Sequence, residues 1–455
     1  MAGATAGTIA AGDAAREFSG VSIDTRTLRA GELYVGLRGE RFDGADFAGA
    51  ALVAGAAGVV VPRGRRVRAG GAAVVIEVDD TIRALQAMGH RARVESGARV
   101  VAITGSAGKT TTKEITAEFL ATRYRVMRNR GNFNNHIGLP LSLVELRRRP
   151  EIAVVELGMN HAGEISTLVR IAEPDVRVWT NVGEAHLGFF ASVDAIADAK
   201  AEILEGAGSS TALVANADDD RIAARARRFA GRVVTFGIER PADVKAADVR
   251  DAGISGTSAT VVTRRGSAAL STPLVGRANL ANVLAATAVA LEFDVPLEAA
   301  AERARSLAPA PHRGEVVRLS RGVVVLDDSY NANPTATRRA LEVIGAERPA
   351  RRVAVLGEML ELGANAVRLH EEVGRAAVAA GVGLLVTVGG APAAAMAEAA
   401  VAAGLPKDGV RHFGDSEEAA AAMTPLVRPG DLILVKGSRG VKSDRVVERL
   451  KAELA

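Results

Sequence analysis

A strand–turn–helix passage constrains this chain more than any other part of it. Val100–Thr104 is an apolar run rich in β-branched residues, Gly105-Ser106-Ala107-Gly108 is a glycine-punctuated turn, and helix-compatible sequence runs from Lys109-Thr110-Thr111 to Leu120. Strand, Gly-rich turn, Lys-Thr and helix is the plan of a phosphate-binding loop. The glycines let backbone N–H groups converge on phosphate oxygens, and the helix N-terminus adds the positive end of its dipole. In such a loop Lys109 reaches the terminal phosphates and the Thr110 hydroxyl sits on Mg²⁺. The form is the shorter G-x-x-G-K-T, since Ile103 holds the first glycine position of the full motif. A Gly-Lys-Thr turn alone is often a plain connection; the flanking strand and helix favour the nucleotide reading here.

A chain of 455 residues has room for two to four domains. Only 3% of the residues are aromatic, so the cores are expected to be aliphatic. With no cysteine, disulfides, thiolate-bound zinc and a cysteine nucleophile are excluded. That composition suits a reducing, cytoplasmic location. No signal peptide and no apolar run of transmembrane length are read, so no stable membrane insertion is expected. The net charge is only +4, and the arginine clusters at 63–68 and 147–149 lack interleaved aromatics. They read as solvated loops and no nucleic-acid partner is inferred.

In chain order, residues 1–97 read as a small α/β N-terminal domain with polar loops at Ser22–Arg26 and Arg38–Gly44. On local sequence alone Asp24 and Asp43 are turn caps. Residues 98–312 read as a central P-loop ATPase-like α/β domain. Within it Gly131–Pro140, with three asparagines, reads as an ordered polar loop rather than a helix. Ile152–Val155 is a buried strand ending in Glu156, and an acidic residue there is a natural Mg²⁺ ligand. Val176–Asn181 is a further strand followed by His186, so two strands deliver Glu156 and His186 to one edge. Lys200 stands on a helical pattern as an ordinary solvent-facing charge. Asn279 and Asn282 share a helix face, equally suited to a base or to backbone capping. Residues 313–455 alternate strands and helices as a C-terminal Rossmann-like, doubly wound domain does. No G-x-G-x-x-G follows its first strand, so no dinucleotide is indicated.

The chain resembles the Mur ligases across all three domains. The likeness rests on Ser-x-Asp-Thr-Arg at 22–26, the loop at 105–111, Gly-Asn-x-Asn-Asn-x-Ile-Gly-x-Pro at 131–140 and Glu-Leu-Gly-Met-Asn-His at 156–161. It continues in Ala-His-Leu at 185–187, Ala-Lys-x-Glu-Ile at 199–203, Asp-Asp-Ser-Tyr-Asn-Ala-Asn-Pro at 327–334, Gly-Glu-Met-Leu-Glu-Leu-Gly at 357–363 and Val-Lys-Gly-Ser-Arg-Gly at 435–440. The resemblance implies an ATP-dependent amide ligase acting through an acyl phosphate in cytoplasmic peptidoglycan precursor synthesis. Its implied substrates are UDP-N-acetylmuramoyl-tripeptide and D-Ala-D-Ala, and the implied state is a monomer.

By resemblance, Gly105, Ser106, Ala107, Gly108, Lys109, Thr110, Thr111, Asn279, Arg313 and Asp328 bind ATP. Ser22, Asp24, Thr25, Arg26, Asp43 and Gly44 take the uridine diphosphate part. Asn132, Asn134, Asn135 and His161 meet the sugar-peptide, and Tyr330, Asn331 and Asn333 the dipeptide or the domain interface. Thr110, Glu156, His186 and Lys200 hold two Mg²⁺ ions, Lys200 as its carbamate, and Lys109, Glu156, His186 and Lys200 form the catalytic set. One departure from the family pattern is Ala278, where a histidine usually precedes the adenine-contacting asparagine.

Overall fold

The computed structural model describes residues 3, 5–39, 41–68, 70 and 73–455. The chain divides into two compact units, Met1–Ile103 with Tyr124–Arg177 and Glu202–Thr211, and Thr104–Arg123 with Val178–Ala201 and Ala212–Ala455.

In the first unit a five-stranded sheet runs in the order Thr8–Ala11, Val74–Val78, Gly58–Pro62, Leu33–Val35, Val21–Ser22, all parallel except the first strand. Alternation divides its side chains between two small aliphatic cores. Leu33, Val35, Val60 and Ile76 face one with Leu85 and Met88 of the helix Thr81–Ser96, while Tyr34, Val59, Val61 and Val75 face the other. That helix is capped by Asp80, which accepts the N–H groups of Ile82 and Arg83. The same unit holds the parallel strands Arg99–Thr104, Ile152–Glu156 and Val126–Arg128, in which Ile103 is the register partner of Glu156. The segment read as a loop at 131–140 is a loop only in its first part. Its last residues begin the helix Gly138–Leu143, whose first turn tolerates Pro140 because N–H groups there have no intrahelical partner.

In the second unit, Ala212–Asn216, Arg232–Gly237 and Val244–Asp251 are parallel neighbours, extended by the antiparallel strands Thr257–Thr263 and Gly266–Thr272. The C-terminal sheet has the order Glu315–Arg318, Val324–Asp328, Asp431–Lys436, Arg351–Gly357, Val382–Val388, Val410–Phe413. Its strands are parallel apart from the first. Leu326, Leu356, Leu385 and Leu434 pack on one face under helices Pro334–Ala346, Ala366–Ala379 and Ala391–Ala402. Val325, Val355, Val386 and Val435 pack on the other under Ser416–Met423 and Asp444–Leu454. Helices on both faces of a mainly parallel sheet make the doubly wound arrangement expected from the alternation.

The chain returns from the far edge to place Asp431–Lys436 between strands 324–328 and 351–357. Its carboxyl end is therefore a topological switch point, where sheets of this kind bind ligands. Among the described residues no helix is long and apolar enough to cross a membrane.

Candidate functional site

The strand Arg99–Thr104 runs into the phosphate loop, and the helix Lys109–Leu120 leaves it. Gly105 has φ 153° and Gly108 φ 78°. A Cβ at Gly105 would collide with the Thr180 hydroxyl, and one at Gly108 with the Asn282 amide oxygen, so both positions need glycine. Asn181 braces the loop. Its carbonyl accepts the Ser106 N–H at 3.0 Å and its Oδ1 accepts the Ala107 N–H at 2.9 Å. The Gly183 N–H donates to the Ser106 hydroxyl at 2.9 Å. No side chain caps the helix start, whose N–H groups and dipole point at the loop. Lys109 Nζ donates to the Gly105 carbonyl at 2.9 Å, across the mouth of the loop.

Behind the loop, Thr112 Oγ1 donates to Asn282 Oδ1 at 3.1 Å, Asn282 Nδ2 to Asn279 Oδ1 at 3.1 Å, and Asn279 Nδ2 to the Val275 carbonyl at 2.9 Å. Both asparagines thus serve as internal braces, and the open sequence reading is answered at least on the capping side. The sole tryptophan, Trp179, is fully buried one residue before Thr180, whose hydroxyl donates to the Ala107 carbonyl at 2.9 Å.

In the first unit Glu156 is buried at its strand end and its Oε1 accepts Asn134 Nδ2 at 2.7 Å. Asn129 Oδ1 accepts the Glu156 N–H at 3.0 Å, and the Asn134 carbonyl accepts the Gly158 N–H at 2.8 Å. Asn134 is therefore joined to the acidic strand end, whereas Asn135 caps the next helix through Gly138 N–H at 2.8 Å. The Asn132 carbonyl accepts the Asn134 N–H, and His161 is exposed beside Glu164.

Asp24 forms a forked pair with Arg26, and these hydrogen bonds hold its carboxyl down at about 2. Ser22 Oγ donates to the Asp24 carbonyl at 3.1 Å, and Thr25 lies in the same turn. Asp43 accepts the Ala45 N–H at 2.9 Å, and the Gly44 carbonyl accepts the Tyr34 hydroxyl at 2.9 Å. Asp24 and Asp43 do act as caps, as local sequence suggests.

In the second unit His186 follows Trp179 in a turn and lies 2.6 Å from Glu361, Nδ1 to Oε2. Burial pushes the His186 imidazole below its ordinary value; Glu361 opposes this, and the charges of Lys109 and Lys200 reinforce it. Lys200 is 1% exposed, which overturns the solvent-facing reading of its helical pattern. The charged-face rule fails because Val193–Ala201 is a short helix with alanine, isoleucine and lysine all turned inward. Among the described residues no three His, Asp or Glu side chains are gathered as a metal-ligand set.

At the switch point, Arg313 stacks 4.0 Å from the Tyr330 ring centre, with Arg439 at 5.7 Å. Buried Asp327 accepts His312 Nδ1–H at 2.8 Å and Ser329 Oγ–H at 2.6 Å, tying the approach to Arg313 onto the sheet. Asp328 and the Asn331 carbonyl accept from Lys436, Asn331 Oδ1 accepts the Ala332 N–H, and Asn333 caps the helix Pro334–Ala346. Asn181, Glu361, Lys436 and Asp327 received no role from sequence. Three of them share a signal: a polar residue closing, or directly following, an apolar strand.

Comparison with known proteins fits this geometry. Family models described as "Mur ligase family, catalytic domain", "Mur ligase middle domain" and "Mur ligase, glutamate ligase domain" match residues 17–130, 103–290 and 312–439. The chain is 36% identical over 432 residues to the UDP-N-acetylmuramoyl-tripeptide–D-alanyl-D-alanine ligase of Bacillus subtilis, covering 95% of this chain and 93% of that one. It is also 36% identical to the Escherichia coli ligase of the same name, with the same coverage. A crystal structure of MurF from Acinetobacter baumannii superposes with a TM-score of 0.89 at 30% identity, over 99% of this chain and 98% of that one. MurF from Thermotoga maritima in complex with ADP gives 0.83 at 28%, over 97% and 99%.

Proposed function

The chain belongs to the Mur ligase family, and from that premise we infer that it is an ATP-dependent ligase joining D-alanyl-D-alanine to UDP-N-acetylmuramoyl-tripeptide. The product is the UDP-linked pentapeptide of cytoplasmic peptidoglycan precursor synthesis. The observation that carries the reading is the braced phosphate loop, in a chain matched nearly end to end by ligases of this activity.

A carboxylate resists nucleophilic attack, because attack adds charge to an anion. Phosphorylation by ATP converts the tripeptide carboxylate into an acyl phosphate with a good leaving group. The dipeptide amine then attacks the carbonyl, and the tetrahedral intermediate collapses to amide and phosphate. The helix N–H groups and Lys109 face the charge that develops on the transferring phosphoryl. To do so Lys109 Nζ exchanges the Gly105 carbonyl for a phosphate oxygen. Arg313, held against Tyr330, and Asp328 supply nucleotide contacts beside the switch point. Asn279 is assigned to the adenine, with Ala278 leaving the neighbouring contact unfilled.

Thr110 and Glu156 carry the hard oxygens that suit Mg²⁺. His186 adds a neutral nitrogen donor, and Lys200 as its carbamate adds an anionic oxygen. These four residues would hold magnesium, which supplies charge neutralisation on the phosphates when bound. A buried ammonium at Lys200 opposes a cation beside His186; carbamylation reverses its sign. Ser22, Asp24, Thr25, Arg26, Asp43 and Gly44 are assigned to the uridine diphosphate, Asn132, Asn134, Asn135 and His161 to the sugar-peptide, and Tyr330, Asn331 and Asn333 to the dipeptide side.

Phosphate release from ATP that requires both UDP-N-acetylmuramoyl-tripeptide and D-Ala-D-Ala, with the pentapeptide seen by mass spectrometry, tests the reading. Release driven by a single amino acid would assign a sibling activity instead, and a stable phosphorylated product would assign a kinase.

A further inference from the structure

The loop after Trp179 and the loop after Gly357 are clasped by side chain and backbone together. His186 Nδ1 lies 2.6 Å from Glu361 Oε2, and the Gly188 N–H donates to the Glu361 carbonyl at 2.7 Å. Both partners stand in the left-handed region, His186 at φ 63° and Glu361 at φ 64°. Side-chain-bearing residues occupy that region only where their surroundings over-determine it, and such residues gather at functional sites. Here each strained residue is the other's partner. The clasp is reinforced on either side. A Cβ at Gly363 would lie 2.9 Å from the Gly188 Cα, and Arg338 pairs with Glu184.

A carboxylate can only accept a hydrogen bond, so the proton at this contact belongs to His186 Nδ1. In the neutral ring that leaves Nε2 with a bare lone pair, the form in which imidazole serves as a ligand. Free neutral imidazole favours the opposite tautomer, so the form is imposed by the partner. We propose that Glu361 is a positioning residue for His186, holding it as the Nδ1–H tautomer so that Nε2 stands as a bare donor only while the two loops are clasped. The inference rests on the ligase reading above. It adds that a glutamate carried by the C-terminal sheet prepares a histidine carried by the turn after Trp179. Separation of the loops would then unmake the donor without moving the phosphate loop.

The variant Glu361→Asn isolates the side chain, because asparagine tolerates the left-handed backbone but does not reach His186. Glu361→Gln keeps the reach and an accepting oxygen. In substrate-free protein with ¹⁵N-labelled histidine, His186→Gln identifies the His186 signals among the seven histidines. The wild type should show the Nδ1–H tautomer. Glu361→Gln should keep it and stay within a few-fold of the wild-type rate. Glu361→Asn should shift to Nε2–H and lose roughly 10–100-fold in kcat, the usual cost of removing a partner behind a ligand. A Glu361→Asn protein that keeps the Nδ1–H form overturns the proposal, as does one that loses it at an unchanged rate. Absence of dipeptide-dependent turnover in the wild type would instead overturn the ligase reading, leaving the tautomer measurement intact.

Discussion

Lys436 donates its buried ammonium to Asp328 at 2.5 Å, from neighbouring parallel strands in which the two residues are register partners. The same ammonium donates to the Asn331 carbonyl at 3.0 Å, so one lysine fixes the base of the Asp328–Asn333 loop. Lys436 is 3% exposed. Lys436→Met should strand the carboxylate and destabilise the C-terminal domain by about 2–3 kcal/mol, below the roughly 3–5 kcal/mol for breaking a fully buried pair, since Asp328 is partly open to water. A denaturant titration followed by circular dichroism measures this. Asp328→Asn in the same chain should recover part of the loss.

The glycine at 108 combines a left-handed backbone with an amide oxygen where a Cβ would stand. Gly108→Ala should therefore displace the Asn282–Thr112 brace and misplace the helix start. A strain of roughly 1–3 kcal/mol corresponds to about a 5- to 150-fold loss of nucleotide affinity. Calorimetry with ADP reads it, and near-normal binding would remove the loop from the nucleotide site.

Lys200 offers a chemical test. Lys200→Ala should be nearly inactive, and short carboxylates such as acetate should restore part of the rate by standing in for the carbamate. Lys200→Glu should not replace it fully, because its arm is shorter. A ¹³C carbamate resonance from protein equilibrated with labelled CO₂, absent from the Lys200→Ala variant, checks the modification directly. Full activity of Lys200→Ala would defeat the assignment.

His370 predicts an acid-sensitive element in the helix Ala366–Ala379, which packs on the C-terminal sheet. It is fully buried, accepts the Met359 N–H at Nε2 and donates from Nδ1 to the Ala366 carbonyl. Burial pushes its pKa below the ordinary 6.5. As pH falls through about 6.5 the unfolded chain takes up a proton that the folded chain refuses. Stability from this residue is thus complete above that pH and declines below it. Denaturation midpoints measured across this range should slope less in His370→Gln, whose amide can both accept and donate. An identical slope would exclude His370 as the source.

The parts legible in sequence were those written in local chemistry. The phosphate loop announces itself through glycines flanked by strand and helix, and the C-terminal alternation matches its doubly wound sheet closely. Lys200 misleads because a lysine in a helical pattern is taken for a surface charge, whereas the exposed side of this helix carries Asp194 and Asp198 and Lys200 stands on the buried side. Asn279 and Asn282 stay ambiguous because spacing places them together without naming Thr112 as their partner. The role of Glu361 depends on two loops about 175 positions apart in the chain, a pairing no local pattern encodes. The antiparallel strands Thr257–Thr263 and Gly266–Thr272 escape notice because their residues are small and half-exposed.

The placement of Trp179 has an optical consequence. It is the chain's sole indole, it is sealed from solvent, and its N–H meets no hydrogen-bond acceptor among the described residues, so its emission should lie far to the blue. Thr180, the next residue, touches the phosphate loop, and the C-terminal sheet carries no competing fluorophore of this kind. Nucleotide occupancy can therefore be followed by intrinsic fluorescence without a label, while melting of the C-terminal sheet alone should pass almost dark. A sample whose circular dichroism falls before its tryptophan signal shifts would have lost one of the sheets remote in sequence from Trp179 first, the N-terminal or the C-terminal one.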